Sequence, residues 1–226
     1  MGNEVIDSWK KNAMEWVKVI DRNEIESRQY TNKAIEDVLR EMSGNNILDI
    51  GCGEGWLTRS ITKMGKRAVG IDVIETLLAN ARKKGPEPFF LISYEDIMNG
   101  KMIPEGPYDV AIFNFSIYQK DGLAELLNNT RKFLLKNGKI VIQTIHPYFL
   151  LNNRRAYNSQ MISDSWEGLP GNFTEGHQWY ARTIEDWIFI MAQSGMKIVE
   201  LREIINFDKE PVSLILISDS QQSSDI

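Results

Sequence analysis

Ile47-Leu48-Asp49-Ile50-Gly51-Cys52-Gly53-Glu54-Gly55-Trp56 is the stretch whose reading decides the fold. An apolar run holding one acid ends in three glycines that alternate with other residues. Such a run marks a buried strand that turns sharply. Glycine at the turn permits positive φ angles and a close approach of backbone to a ligand. A tight strand-to-helix turn accounts for one glycine, whereas three within five residues after a strand point to a bound ligand.

The surrounding sequence alternates in the same sense. After Ile47–Ile50, Trp56–Met64 reads as a helix stopped by Gly65, Ala68–Asp72 as a strand and Ile74–Lys84 as a helix. Phe89–Ser93 reads as a third strand, placed at an edge by Pro86 and Pro88 ahead of it. Asp109–Phe115 follows as a fourth strand. Leu123, Leu126, Leu127, Thr130, Phe133 and Leu134 form a helical stripe, Asn137-Gly138 a turn, and Lys139–Ile145 a fifth strand. Strands alternating with helices imply parallel βαβ units, and continuous apolar strands imply a sheet covered on both faces. Upstream, Val5, Trp9, Ala13, Trp16, Val17 and Ile20 lie three and four apart, and a second helix spans about Thr31–Met42. Downstream, the pattern fails between Pro147 and Arg182, too long a stretch for an ordinary connector. Thr183-Ile184-Glu185-Asp186 then opens a helix that Gly195 ends. Lys197–Ile205 and Val212–Ile217 follow with no helix between them, as an antiparallel hairpin on the sheet edge would. Ser218–Ile226 reads as a polar, frayed tail.

The 226 residues suit one domain: N-terminal helices over 1–43, an insertion over 147–182, and the α/β body. Charged residues make up 25% and the formal net charge is −5, which argues against nucleic acid or anionic lipid as the partner. The single cysteine, Cys52, permits no intramolecular disulfide and fits a reducing cytoplasm. The first residues carry Glu4, Asp7, Lys10, Lys11, Glu15 and Lys18, unlike a secretory leader, and no apolar run approaches the roughly 20 residues of a membrane span. The expectation is a cytoplasmic protein without membrane attachment.

The identity of the ligand follows by comparison of turns. A phosphate-binding P-loop requires Gly-Lys-Ser/Thr at its end, and Glu54-Gly55-Trp56-Leu57 lacks it. A dinucleotide fingerprint requires glycine where Trp56 stands, and it offers a bare helix N-terminus to a pyrophosphate. Here Asp49 and Glu54 crowd the turn with negative charge, which suits a ligand without phosphate and with positive charge. Asp72 stands about 20 residues beyond Gly51 at the tip of the second strand, where an acid accepts hydrogen bonds from ribose hydroxyls. It is equally placed to cap the helix that follows. A nucleoside with a cationic centre meets these conditions, and S-adenosylmethionine fits.

With "LDIGCGEG", "VGID", "YEDI", "YDVAIFNFS" and "LKNGKIVIQTIHP" in that order, the chain resembles the class I S-adenosylmethionine-dependent methyltransferases over roughly Ile47–Ile217. The resemblance implies a doubly wound, mostly parallel seven-stranded sheet with a reversed C-terminal hairpin, helices on both faces and an N-terminal helical extension. It implies that Asp49, Gly51, Gly53 and Gly55 line the methionyl part, that Asp72 holds the ribose, and that Val73 packs on the adenine. Tyr94 or Glu95 offers a backbone amide to the ring. Asn114, Phe115 and Ser116 sit beneath the methionyl group, and Arg28 pairs with the ligand carboxylate. Many relatives carry an acid where Ser93 stands, so Ser93 has no assigned role.

Methyl transfer needs proximity, alignment and a dry site, plus a base where the acceptor must lose a proton. Of the two histidines, His146 follows the fifth strand at the ligand end of the sheet and is the candidate base; a structural histidine is the alternative. No spacing of His146, His177 and Cys52 suggests a metal site. The insertion carries Tyr148, Phe149, Tyr157, Trp166, Phe173, Trp179 and Tyr180, as a lid over a small or medium organic substrate would, or as a small core on the sheet would. Tyr148, Trp179, Tyr180 and Arg182 are the candidate substrate contacts. The sequence leaves open a binding protein that keeps this fold without catalysis, and a methyltransferase acting on protein or RNA. It leaves the acceptor atom and the oligomeric state undetermined.

Overall fold

The computed structural model describes residues 2–220, and Met1 and 221–226 lie outside the described residues. Ile47, Leu48 and Ile50 are completely buried because their strand lies near the middle of a sheet packed on both sides. The strands are β1 (Asn46–Ile50), β2 (Arg67–Asp72), β3 (Phe89–Leu91), β4 (Tyr108–Asn114) and β5 (Leu134–Ile145), then a short ribbon of β6 (Gln160–Ile162) and β7 (Trp179–Ala181), then β8 (Met196–Ile205) and β9 (Pro211–Ser220). Seven of them form one sheet in the order β3-β2-β1-β4-β5-β9-β8. β1 to β5 run parallel, β9 is antiparallel to β5, and β8 is antiparallel to β9. Strand order reverses between β1 and β4, the position where open α/β sheets bind ligands.

The helices are α1 (Asn3–Asp21), α2 (Arg28–Glu41), α3 (Trp56–Lys63), α4 (Glu75–Lys84), α5 (Tyr94–Met98), α6 (Leu123–Thr130), α7 (Tyr148–Asn152) and α8 (Ile184–Gln193). Ile35, Val38 and Leu39 of α2 and Leu57 and Ile61 of α3 pack on Ile47, Val110, Ile112, Val141, Ile215 and Ile217. The opposite face, with Leu48, Ile50, Ala111, Phe113, Ile140, Ile142, Leu214 and Leu216, is covered by Ile97 of α5, Leu123, Leu126 and Leu127 of α6, and Trp187 and Met191 of α8. Alternate residues of each strand thus serve opposite cores, which is why the strands read as unbroken apolar runs.

Four local readings are corrected. The third strand stops at Leu91. Ser93 instead caps α5, accepting the Asp96 N–H while the Asp96 carboxylate accepts the Ser93 N–H. Asn137-Gly138 is not a turn ahead of a strand but an irregularity within the longer β5. Asn137 takes a φ of 69° there, and the β4–β5 register shifts between Tyr108 and Val110. The insertion is not patternless: it holds α7 and the β6–β7 ribbon, which has a small core of Leu150, Ile162, Trp179 and Ala181. Finally, Ser218–Ser220, read as the start of a frayed tail, belongs to β9.

Candidate active site

The glycine turn is tied to β2: the amides of Gly51 and Cys52 both donate to the Ile71 carbonyl, at 2.8 and 3.0 Å. Gly51, Gly53 and Gly55 all have positive φ, of 74°, 57° and 79°. They differ in what surrounds them. A Cβ on Gly51 would lie 2.5 Å from Ser116 Cβ, and one on Gly55 would lie 2.6 Å from Phe89 Cζ. Packing therefore demands glycine at both. A Cβ on Gly53 would meet nothing nearer than the Trp16 Nε1 at 4.0 Å. Gly53 is the one that faces open space, with Trp16 of α1 as the far wall.

Asp72 fixes this geometry. One carboxylate oxygen accepts the Gly53 N–H at 2.9 Å and the other accepts the Ile74 N–H at 2.8 Å. The side chain thus braces the glycine turn and the bend that leads from β2 to α4, and each oxygen retains a lone pair for a further donor. Burial raises the Asp72 pKa, and the two amides oppose that rise. Asp49 is also buried and accepts from Thr58 Oγ1 at 2.7 Å. Burial, with Asp72 and Glu54 adding repulsion, pushes Asp49 up to about 7 against the bond from Thr58. Glu54 does not supply the free negative charge expected of it: it is buried with Arg59 at 2.7 Å and Lys84 at 3.3 Å. The acidic character of the turn resides in Asp49 and Asp72.

The tip of β4 completes the floor. Ser116 Oγ donates to the Ile50 carbonyl and Tyr94 Oη to the Ser116 carbonyl, both at 2.8 Å. Phe115 holds a φ of 52°, unusual for a bulky residue, while its amide donates to the Gln143 carbonyl at 2.8 Å. Asn114 Oδ1 is buried without a hydrogen-bond partner. Asn114, Phe115, Ser116, Tyr94, Gly51, Gly53 and Asp72 are thereby gathered at the carboxyl ends of β1, β2 and β4. Val73 packs with Ala13 and Val17 of α1 and with Leu77 of α4. Glu95 is exposed on α5. The Arg28 guanidinium lies over the Trp56 ring at 4.7 Å, and its burial lowers its pKa to about 10, with Glu54 pulling it back up.

His146 stands apart from this group. Its Nδ1 accepts the Tyr148 N–H at 3.0 Å, which leaves the proton on Nε2 to be donated to Glu203 Oε1 at 2.9 Å. Both ring nitrogens are engaged, so in this arrangement neither is free to take a proton from an acceptor. His146, Trp179, Tyr180 and Arg182 do line one small pocket, together with Tyr118 and Phe149. Trp179 is edge-on to Tyr118 with ring centres 5.5 Å apart. Arg182 is held by Nη2, which donates to the Gln119 and Lys120 carbonyls at 2.8 Å each; the guanidinium packs over Tyr180 and lies 3.4 Å from Asp186, while its Nε and Nη1 are buried without a hydrogen-bond partner.

One feature of the site had no local signal in the sequence. Helix α1 reads the backbone of residues 172–175 in the insertion. Asn12 Nδ2 donates to the Thr174 carbonyl at 2.7 Å, and the Thr174 N–H donates to Asn12 Oδ1 at 2.9 Å. Glu15 accepts the Asn172 N–H at 2.9 Å, and Ser8 Oγ donates to the Glu175 carbonyl at 2.8 Å. Around this clasp Trp9, Trp16, Trp166, Phe173 and His177 pack ring on ring. The seven-residue spacing of Trp9 and Trp16 places both on one face of α1, the face that carries the insertion towards Gly53.

This sheet order, reversed hairpin and glycine turn define the fold of the class I S-adenosylmethionine-dependent methyltransferases. Solved structures agree. An S-adenosylmethionine-dependent methyltransferase from Mesorhizobium loti superposes with a TM-score of 0.62 at 20% identity, covering 83% of this chain and 96% of that one. The Burkholderia thailandensis 1,6-didemethyltoxoflavin-N1-methyltransferase, solved with bound 1,6-didemethyltoxoflavin and S-adenosylhomocysteine, gives 0.66 at 12% identity over 93% of this chain and 87% of that one. A family model for the methyltransferase domain matches residues 25–201, and the chain belongs to that family. Among curated relatives, the ubiquinone biosynthesis O-methyltransferase of Rhodopseudomonas palustris (strain TIE-1) is 26% identical over 105 residues, 46% of this chain and 42% of that protein. The chain thus spans less than half the length of that relative. No helix among the described residues is long and apolar enough to cross a membrane.

Proposed function

We propose that the protein transfers the methyl group of S-adenosylmethionine to a small organic acceptor. The observation that carries this reading is the open face of Gly53, held by Asp72 at the reversal of strand order. The residues present fit the cofactor. Asp72 has lone pairs for the ribose hydroxyls, and Val73 and the Tyr94–Glu95 backbone lie at the adenine end. Asn114 Oδ1, a buried acceptor without a partner, suits the ligand ammonium, and Arg28 suits its carboxylate. Asp49 and Asp72 give the cavity the negative charge that a sulfonium favours. When bound, the cofactor supplies a methyl group on a good leaving group.

The chain's own part is alignment and exclusion of water. Trp16 and the floor of Phe115 and Ser116 confine the methyl end, and the insertion, clasped to α1, covers it. Tyr148, Trp179 and Tyr180 offer aromatic walls for the acceptor. His146 acts as a positioning residue, pinning the first turn of α7 to β8 through Glu203. The aromatic insertion and the net charge of −5 support a small, non-polyanionic acceptor over RNA. Two similar proteins bear the names of small-molecule O- and N-methyltransferases, which supports the same class. The lone, buried Cys52 supports a reducing compartment such as the cytoplasm. Incubation with methyl-labelled S-adenosylmethionine and a metabolite extract tests the proposal. Label in a small molecule supports it. Label only in protein or RNA, or cofactor binding without any transfer, contradicts it.

A further inference from the structure

Among the described residues β8 is the outer strand of the sheet, paired only with β9, and its other edge pairs with no strand. Natural edge strands are guarded by charge, proline or bulges against pairing with another chain. β8 carries charges of both signs at Lys197, Glu200, Arg202 and Glu203, and irregularities only towards its ends: register shifts between Ile198 and Glu200 and between Ile204 and Ile205. Between them, Glu200 to Ile204 runs in regular register with β9. The apolar side chains around it are exposed: Val199 at 44%, Leu201 at 37% and Ile205 at 48%. The helix packed against β8, α8, adds Ile188 and Phe189 at 50% and 57%. Exposed apolar side chains thus alternate with charges of both signs beside an unpaired strand edge.

We propose that β8 pairs antiparallel with β8 of a second copy of this chain, continuing the sheet across a two-fold axis at Leu201. The charges choose this register. Glu200 and Arg202 face the α2 side of the sheet, opposite Ile217 and Ile215 of β9, and Leu201 and Glu203 face the α8 side. Antiparallel pairing about Leu201 sets Glu200 of each chain against Arg202 of the other, on the same face, twice by symmetry. It sets Leu201 against its own copy beside the Ile188 and Phe189 surfaces. A shift of one residue in either direction loses both Glu–Arg pairs, and centring on Arg202 opposes two arginines. A two-fold interface is self-complementary in this manner. Within one chain Arg202 already contacts Glu200 and Glu41, so the paired arrangement extends an existing charge network instead of burying a lone ion. Pairing also covers the edge of the strand from which Glu203 holds His146.

Sedimentation velocity of the full chain over micromolar concentrations tests the interface, with circular dichroism as the check on folding. The wild type is expected to sediment at twice the chain mass. Leu201→Lys places like charges on the axis and Glu200→Arg places arginine opposite arginine, so each is expected to sediment as a single chain. The double exchange Glu200→Arg with Arg202→Glu restores the cross-strand pairs and is expected to restore the dimer. A wild type that is a single chain at every concentration overturns the proposal, as does a dimer that survives both Leu201→Lys and Glu200→Arg. Failure of the double exchange to recover association in a folded protein overturns the register.

Discussion

Nε2 of His146 lies 2.9 Å from Oε1 of Glu203, across 57 residues of sequence. The other ring nitrogen is held by the Tyr148 amide. A histidine occupied on both sides anchors the insertion at its root. His146→Ala is therefore expected to lower the melting temperature, through loss of bonds worth about 1–3 kcal/mol together, and to cut turnover by less than about tenfold. Glu203→Gln should show a weaker form of the same effect. A loss of about 10²–10⁴ in turnover, with stability and cofactor affinity unchanged, would instead make His146 the base.

The glycines of the turn predict a contrast. Gly53→Val places a side chain in open space at a strained φ, costing about 1–2 kcal/mol in backbone conformation, and should abolish cofactor binding in a protein that still folds. Gly51→Val drives its Cβ into Ser116 and should fail in folding itself. Normal cofactor binding by Gly53→Val would show that the backbone does not approach the ligand there.

The strand and helix alternation was legible because doubly buried strands must be apolar throughout, and Ile47–Ile50 and Asp109–Phe115 advertise that. The hairpin was legible from the absence of a helix between its strands. α5 was not, because Phe89–Ser93 continues an apolar run past Leu91 and the Ser93–Asp96 cap is a signal only three residues wide. The clasp of Asn12 on Thr174 could not be read at all: the helix recognises backbone atoms, which carry no sequence signature, 162 residues away. The partner of His146 was illegible for a different reason: Glu203 is a surface acid on a strand 57 residues away. Glu54 looked like site charge because Arg59 and Lys84 reach it only once α3 and α4 are folded.

Asn12 is buried, and its amide makes both bonds to Thr174. Asn12→Ala should loosen the insertion without unfolding the body. Limited proteolysis is expected to cut faster within 152–176, and cofactor protection of that stretch should diminish. Unaltered cleavage would mean that the aromatic cluster alone holds the insertion in place.

Asp49 is expected to give the proposed cofactor site a pH dependence. Its raised pKa, about 7, means that the folded apo protein holds a proton there in weakly acidic solution. A positively charged ligand favours the ionised form, so binding expels that proton. Affinity for S-adenosylmethionine should rise with pH up to and through about 7, by at most about tenfold per pH unit. S-adenosylhomocysteine, which lacks the sulfonium charge, should show a shallower rise. Asp49→Asn should flatten the difference between them. The same raised pKa makes the apo fold lose stability as pH rises from the ordinary aspartate range to about 7, since charging buried Asp49 is unfavourable. Parallel pH profiles for the two ligands would exclude Asp49 from the charge seen by the sulfonium.

The turn braced by Asp72 is proposed to bind S-adenosylmethionine. Isothermal titration calorimetry of the wild type and Asp72→Ala against S-adenosylmethionine, S-adenosylhomocysteine and NADH tests it most directly. One site per chain is expected for the first two ligands. Asp72→Ala should lose about 1.5–3 kcal/mol of binding free energy, and NADH should show no comparable binding. NADH bound as tightly as S-adenosylhomocysteine, or a folded Asp72→Ala protein with undiminished affinity, would contradict it.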